Sequence, residues 1–163
     1  VIPASHNRLI YFVIACVVAV DQITKAVARP LLGEGGKVVV IPGFFDLRLS
    51  YNTGAAFGVL PGAAPLFIVI ALAAIYAAVR ARAMGPQSRL FVVGIGLLIG
   101  GAAGNLIDRL LAPDHRVTDF LDFHIGSRYW PTFNVADAAI VVGVILVFAS
   151  VFILGRSHES ERY

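Results

Sequence analysis

The sequence predicts an α-helical integral membrane protein, a bundle of four transmembrane helices with a small β-sheet at one end. Three observations carry that expectation. The 163 residues are 58% hydrophobic and only 14% charged, with a mean hydropathy of +0.83, whereas a soluble domain is nearer half apolar and about a quarter charged. The excess is gathered into four runs of roughly 17 to 25 residues, the length that crosses a ~30 Å hydrocarbon core at 1.5 Å per residue. Finally, the ionisable and amide residues of these runs sit at one end: Asp21 and Lys25 close the first, Asn105, Asp108 and Arg109 close the third, and Asp137 opens the fourth. In an antiparallel bundle those positions share one face. A charge near hydrocarbon costs several kcal/mol unless paired or functional, so the cluster is a site hypothesis by default.

The first helix is expected over about Leu9 to Ala28, after a polar start with Asn7 and Arg8. The second runs from about Pro65, a favourable first-turn proline, to Ala83. A Gly85-Pro86 turn breaks the chain before the third, about Leu90 to Leu111, and the fourth covers about Val135 to Gly155, ahead of a polar tail. These make one membrane domain over 1–163. Arg80, Arg82 and Arg89 crowd a short connection, which puts that side and both termini in the cytoplasm. The longer segments, about 29–64 and 112–134, are then extracytoplasmic. In them Lys37 to Ile41 is largely β-branched, and Phe45 to Asn52 alternates after a Pro42-Gly43 turn, with Phe45, Leu47, Leu49 and Tyr51 on one parity. Val117, Asp119, Leu121 and Phe123 likewise share a parity in Val117 to His124. Such alternation marks half-buried strands, and a small sheet lying on the membrane surface accommodates both stretches.

The net charge of +3 is spread along the chain, which argues for juxtamembrane basic residues and against nucleic-acid binding. One cysteine, Cys16, excludes an internal disulfide framework and a multi-cysteine metal site. Val13 to Cys16 and Ala26 to Ala28 loosely match processing sites. The apolar run continues past Cys16, and Asp21 and Lys25 interrupt the approach to Ala28, so the segment reads as a retained helix.

Asp119 lies on the apolar parity of its strand, and an aspartate on such a face must be paired, protonated or functional. Asp122, on the other parity, and Asp114 read as solvated loop charges. Asp137 stands at the entry of the fourth helix. There an acidic residue also suits the helix dipole, with Asn134 as a cap. Two carboxylates within hydrogen-bonding range do not both ionise easily. One can take a proton from water while its protonated partner donates to a carbonyl oxygen, which hydrolyses an amide without metal or covalent intermediate. His-Glu-x-x-His, Gly-x-Ser-x-Gly and phosphate-loop patterns are absent from the sequence. His115 and His124 flank Asp119 and Asp122 at a spacing that matches no familiar metal site, so no metal and no cofactor is expected.

The other polar residues form a supporting shell. An Asp21/Lys25 pair four apart adds only ~0.3–0.5 kcal/mol in water, but near hydrocarbon it lets both charges remain. Gly96, Gly100 and Gly104 allow close helix contact, and Gly101, Asn105, Asp108 and Arg109 line up at the polar end. Taken singly, each also fits a purely packing role. Tyr129 and Trp130 suit an interfacial aromatic belt.

Five motifs occur in order: Asp21-Gln22-x-x-Lys25; Tyr51-Asn52-Thr53-Gly54-Ala55-Ala56-Phe57; Gly101-x-x-Gly104-Asn105-Leu106-Ile107-Asp108-Arg109; Val117-x-Asp119-Phe120; and Phe133-Asn134-x-Ala136-Asp137. Together they resemble the bacterial lipoprotein signal peptidase family, signal peptidase II, over about Asp21 to Gly143. The resemblance implies a four-helix aspartyl endopeptidase of the inner membrane with cytoplasmic termini and an extracytoplasmic β-cradle. It implies cleavage of diacylglyceryl-modified prolipoproteins just before the lipidated cysteine, by a monomer among membrane lipids. Asp119 and Asp137 would be the catalytic pair. Asp21, Lys25, Asn52, Gly54, Gly101, Asn105, Arg109 and Asn134 match the family's other functional positions, and Gly54 to Ala56 would admit an extended backbone. Two rival readings are a small ion- or proton-coupled transporter subunit, which calls for mid-depth carboxylates and duplicated halves, and a non-catalytic assembly bundle.

Overall fold

The computed structural model describes residues 4–54, 64–112 and 114–160, so Ala55, Ala56 and Phe57 of the second motif lie outside the described residues. In chain order the elements are α1 (Ala4–Leu32), β1 (Lys37–Ile41), β2 (Phe45–Asn52), α2 (Ala64–Met84), α3 (Arg89–Leu111), β3 (Val117–Ile125), β4 (Arg128–Tyr129) and α4 (Val135–Ser160). All four helices are long and apolar enough to cross a membrane.

Helix α3 is the axis of the bundle and packs against α1, α2 and α4. Its glycines explain this. A Cβ built on Gly96 would come 2.9 Å from Val13, one on Gly100 2.8 Å from Val17, and one on Gly104 2.6 Å from the Asp21 carboxylate. The matching steps of four on α1 and α3 show the two helices running in parallel, with the predicted glycine stripe as their contact. The α3–α4 contact is antiparallel and equally close: Gly94 faces Gly143, and Gly101 faces the Ala136 carbonyl and Ile140. Large apolar residues point away from these contacts, Phe12 at 67% and Phe148 at 71% exposure among them, the surface that lipid rather than water would cover.

Several helices outrun the hydrophobic stretches that predicted them. Helix α1 continues past Ala28 through Arg29 and Pro30, then closes where Gly33, at φ 62°, donates its N–H to the Arg29 carbonyl. Helix α4 runs beyond Gly155 to Ser160. At the turn between α2 and α3, Ser88 caps α3 by accepting the Phe91 N–H at 3.1 Å.

The sheet is antiparallel in the order β1-β2-β3-β4. Three strands fall where alternation predicted them; β4 was not foreseen and turns back from β3 across Gly126, whose φ is 59°. The predicted faces need one correction. Leu47 pairs with Leu121 but Ser50 pairs with Asp119, so β2 holds one extra residue there, a bulge. Beyond it the parity flips. Leu49 and Tyr51 leave the face of Phe45 and Leu47 and pack with Ala28, Leu32 and Phe120 at the end of α1. Ser50 and Asn52 take their place on the Asp119 face. Strict alternation would have turned Asn52 away from Asp119.

Asp122 also departs from expectation. It is fully buried opposite Asp46 and pairs with Arg48 at 2.8 Å, whereas Asp114 is exposed as anticipated. Asp46 in turn meets Lys37 at 2.6 Å and His124 at 2.9 Å. Asp46 on β2 and Asp122 on β3 are tolerated there because Lys37 and Arg48 on neighbouring strands receive them.

Replacing Gly101 by Ala should destabilise the bundle by about 1–3 kcal/mol, since the new methyl would press on the backbone of α4. Thermal unfolding in detergent checks this; a midpoint equal to wild type would remove Gly101 from the helix contact.

Candidate active site

Lys25 has the largest fully buried side chain among the described residues. Its side chain is inaccessible to solvent, and its ammonium meets Asp21 at 2.9 Å, Asp108 at 3.2 Å and the Asn105 side-chain oxygen at 3.0 Å. Three donors thus find three acceptors, which an ammonium needs when water is excluded. Each acceptor then holds another element. The second Asp21 oxygen accepts the Ala136 N–H at 3.0 Å, at the start of α4. Asp108 accepts the Thr118 N–H at 3.0 Å, pinning β3 to α3. Asn105 donates to Asp137 at 2.7 Å.

Asn134 joins the two carboxylates from the other side. A bridge between Leu121 and Phe133 lays the chain before α4 along β3, which brings Asn134 beside Asp119. Its side-chain amide donates to Asp119 at 2.6 Å and to the Asn105 oxygen at 3.1 Å. Its side-chain oxygen accepts the Asp137 N–H at 3.0 Å while its own N–H donates to Asp137 at 3.2 Å, the reciprocal pattern of a capping box. Asp137 therefore caps α4 with one oxygen and receives Asn105 with the other. The capping and site readings of this residue are both compatible with the geometry.

Asp119 and Asp137 line one cleft of about 410 Å³ at the sheet end of the bundle, together with Asn52, Gly54, Arg109 and Trp130. Asn52 lines the same cleft as Asp119 and closes a tight turn by accepting the Gly54 N–H at 3.0 Å. Burial, then the neighbouring Asp137 charge, pushes the Asp119 carboxyl up to about 7. Arg109 leans over the Phe67 ring, 5.4 Å from its centre, and supplies the cleft's cation. Asp21, Lys25, Asn105 and Asn134 lie beneath as the scaffold. Gly101 lies apart from the cleft, in the α3–α4 contact.

Asp108, Gln22 and Thr118 belong to the same network; the sequence reading set Asp108 in the polar cluster and its supporting shell but gave Gln22 and Thr118 no site role. Gln22 donates at 3.1 Å to Asp21, to Asp108 and to the Gly104 carbonyl. Both Gln22 and Asp108 stood inside the quoted motifs, which was the available signal. The two histidines are occupied elsewhere, His115 with the Arg109 carbonyl and His124 with Asp46.

A family profile described as signal peptidase (SPase) II matches residues 13–153. The chain belongs to the signal peptidase II family. Its similarity to proteins named lipoprotein signal peptidase covers most of both chains. It is 43% identical to the one from Oleidesulfovibrio alaskensis over 88% of this chain and 94% of that one. With the one from Syntrophotalea carbinolica it shares 39% over 96% and 98%. A solved bacterial membrane enzyme superposes with a TM-score of 0.80 at 34% identity, covering 88% of this chain and 87% of the other. Described residues from each of the five motifs thus lie in the polar network or line the cleft above it in this signal peptidase II family member.

Lys25→Met should cost about 3–5 kcal/mol, because it strands two buried carboxylates. Folded yield and thermal unfolding report it, and a wild-type midpoint would show the ammonium to be dispensable. A second expectation concerns pH. The folded chain holds the Asp119 proton more tightly than the unfolded chain, whose value is near 3.8. Its contribution is therefore fully present in acid and is lost as pH rises toward about 7. Unfolding midpoints of wild type should fall across that window relative to Asp119→Asn; parallel profiles would contradict the raised affinity.

Proposed function

We propose that this protein removes signal peptides from diacylglyceryl-modified prolipoproteins, cleaving just before the lipidated cysteine by an aspartic mechanism. The observation that carries the chemistry is the cleft holding two carboxylates from different elements, one of them with proton affinity raised by burial and by the other. Such a pair carries one proton and one negative charge near neutrality. The ionised member takes a proton from water as it attacks the scissile carbonyl; the protonated member donates to the carbonyl oxygen. The proton taken from water then passes to the leaving amine, while the other carboxylate recovers a proton from the collapsing gem-diol hydroxyl, which balances hydrolysis and returns the pair to its starting state.

The depth of the cleft suits this substrate. A cysteine bearing two acyl chains keeps its peptide bond at the headgroup layer, where helices α1 and α3 end and α4 begins. Asn52 and Arg109 are the polar groups available to hold the extended substrate backbone, with Gly54 leaving room beside them. The arginines of the 80–89 connection favour a cytoplasmic location for that side and for both termini, with the cleft on the extracytoplasmic face of the inner membrane. The acting unit is one copy of the chain, since both carboxylates and every residue holding them come from it. The transporter alternative loses its support: the chain belongs to a peptidase family, and its polar residues crowd one edge instead of the bilayer centre.

Asp119→Asn and Asp137→Asn should each lower cleavage of a purified diacylglyceryl-modified precursor by about 10²–10⁴-fold while the bundle stays folded. Mass spectrometry of the products, beside an unlipidated precursor as control, gives the answer. Full cleavage by either variant, or equal cleavage of both precursors, would defeat the corresponding part of the proposal.

A further inference from the structure

A second pocket, of about 300 Å³, opens between α1, α3 and the near end of the sheet. It shares no lining residue with the cleavage cleft. Its upper wall is polar and cationic: Arg29 from the last turn of α1, Arg116 just before β3, and Thr118. Its lower wall is apolar, with Ile107 and Leu111 of α3 facing outward, Leu111 at 79% exposure. The one acidic lining residue is Asp108. Its oxygens already receive Lys25, Gln22, Arg29 and the Thr118 N–H, so its charge is answered from inside the protein.

The two guanidinium groups are held in place. Arg29 donates to the Thr118 hydroxyl at 3.0 Å and more loosely to Asp108 at 3.5 Å. Arg116 lies over the Tyr51 ring, 3.6 Å from its centre, and among the described residues it pairs with the exposed Asp114, at 3.3 Å. Two fixed, half-exposed arginines offer paired N–H edges, the geometry that binds phosphate oxygens. They do so where helices leave hydrocarbon, directly above an apolar wall.

We propose that this pocket binds the phosphate-bearing headgroup of a phospholipid, with an acyl chain lying along Ile107 and Leu111. The ligand is distinct from the cleaved substrate, whose diacylglyceryl group has no phosphate. Occupancy would seat a lipid behind the Asp108–Thr118 contact that positions β3, on the opposite side of that contact from Asp119.

Native mass spectrometry of the detergent-purified full chain tests this with phosphatidylglycerol and with diacylglycerol of the same acyl chains. Wild type should retain one phosphatidylglycerol and release diacylglycerol. Arg116→Gln, whose partners among the described residues are Asp114 and Tyr51 and which should unfold at the wild-type temperature, should weaken retention about tenfold, as expected for losing one charge-assisted phosphate contact. Adding Arg29→Gln should weaken it further. Equal retention of diacylglycerol would overturn the headgroup assignment. Unchanged retention by Arg116→Gln would place the lipid elsewhere. Displacement by millimolar inorganic phosphate would make the ligand a soluble anion and overturn the lipid assignment.

Discussion

The Lys25 ammonium organises the polar end of this bundle. It is fully buried, so its charge is tolerable only while Asp21, Asp108 and Asn105 surround it. Those three acceptors are also what hold α4, β3 and Asp137 in position. A single buried charge therefore ties together the start of one helix, the ends of two others and the strand bearing Asp119. The arrangement is brittle in the way that buried ion networks are: satisfied, it specifies one geometry; broken, it leaves charges with nowhere to go.

From that anchor, rigidity passes outward through two amides. Asn105 takes Lys25 on its oxygen and gives its N–H to Asp137; Asn134 bonds Asn105 and Asp119 and caps α4. Neither amide titrates. The carboxylates above them can exchange a proton while their supports keep the same hydrogen bonds. Burial raises the Asp119 proton affinity most, by penalising the charged form, and the neighbouring Asp137 charge adds to it.

Much of this was readable from residue order alone. The lengths of the apolar runs placed four helices, and the glycine spacing on α3 marked a face for close helix contact, because period and volume are local properties. The crowding of Asp21, Lys25, Asn105, Asp108, Arg109 and Asp137 at helix ends pointed to one face before any distance was known. What escaped depended on pairing between distant segments. The bulge between Leu47 and Ser50 exists only relative to β3, yet it decides that Asn52 faces Asp119. Asp122 looked solvated because its neutralising partner, Arg48, sits on another strand. Gly101 stands in a motif, yet its neighbours are the Ala136 carbonyl and Ile140 of α4, since a motif records that a glycine is required but not which neighbour requires it.

The central claim is that Asp119 and Asp137 share one proton near neutrality in a pocket fixed by Lys25 and two amides. Infrared difference spectroscopy of the purified protein observes that proton directly, through the carbonyl stretch of a protonated carboxyl. The expected result is one such band in wild type, lost as pH passes about 7 and altered by substitution at either aspartate. A spectrum showing both carboxyls ionised just below neutrality, or a protonated band indifferent to both substitutions, would contradict the account.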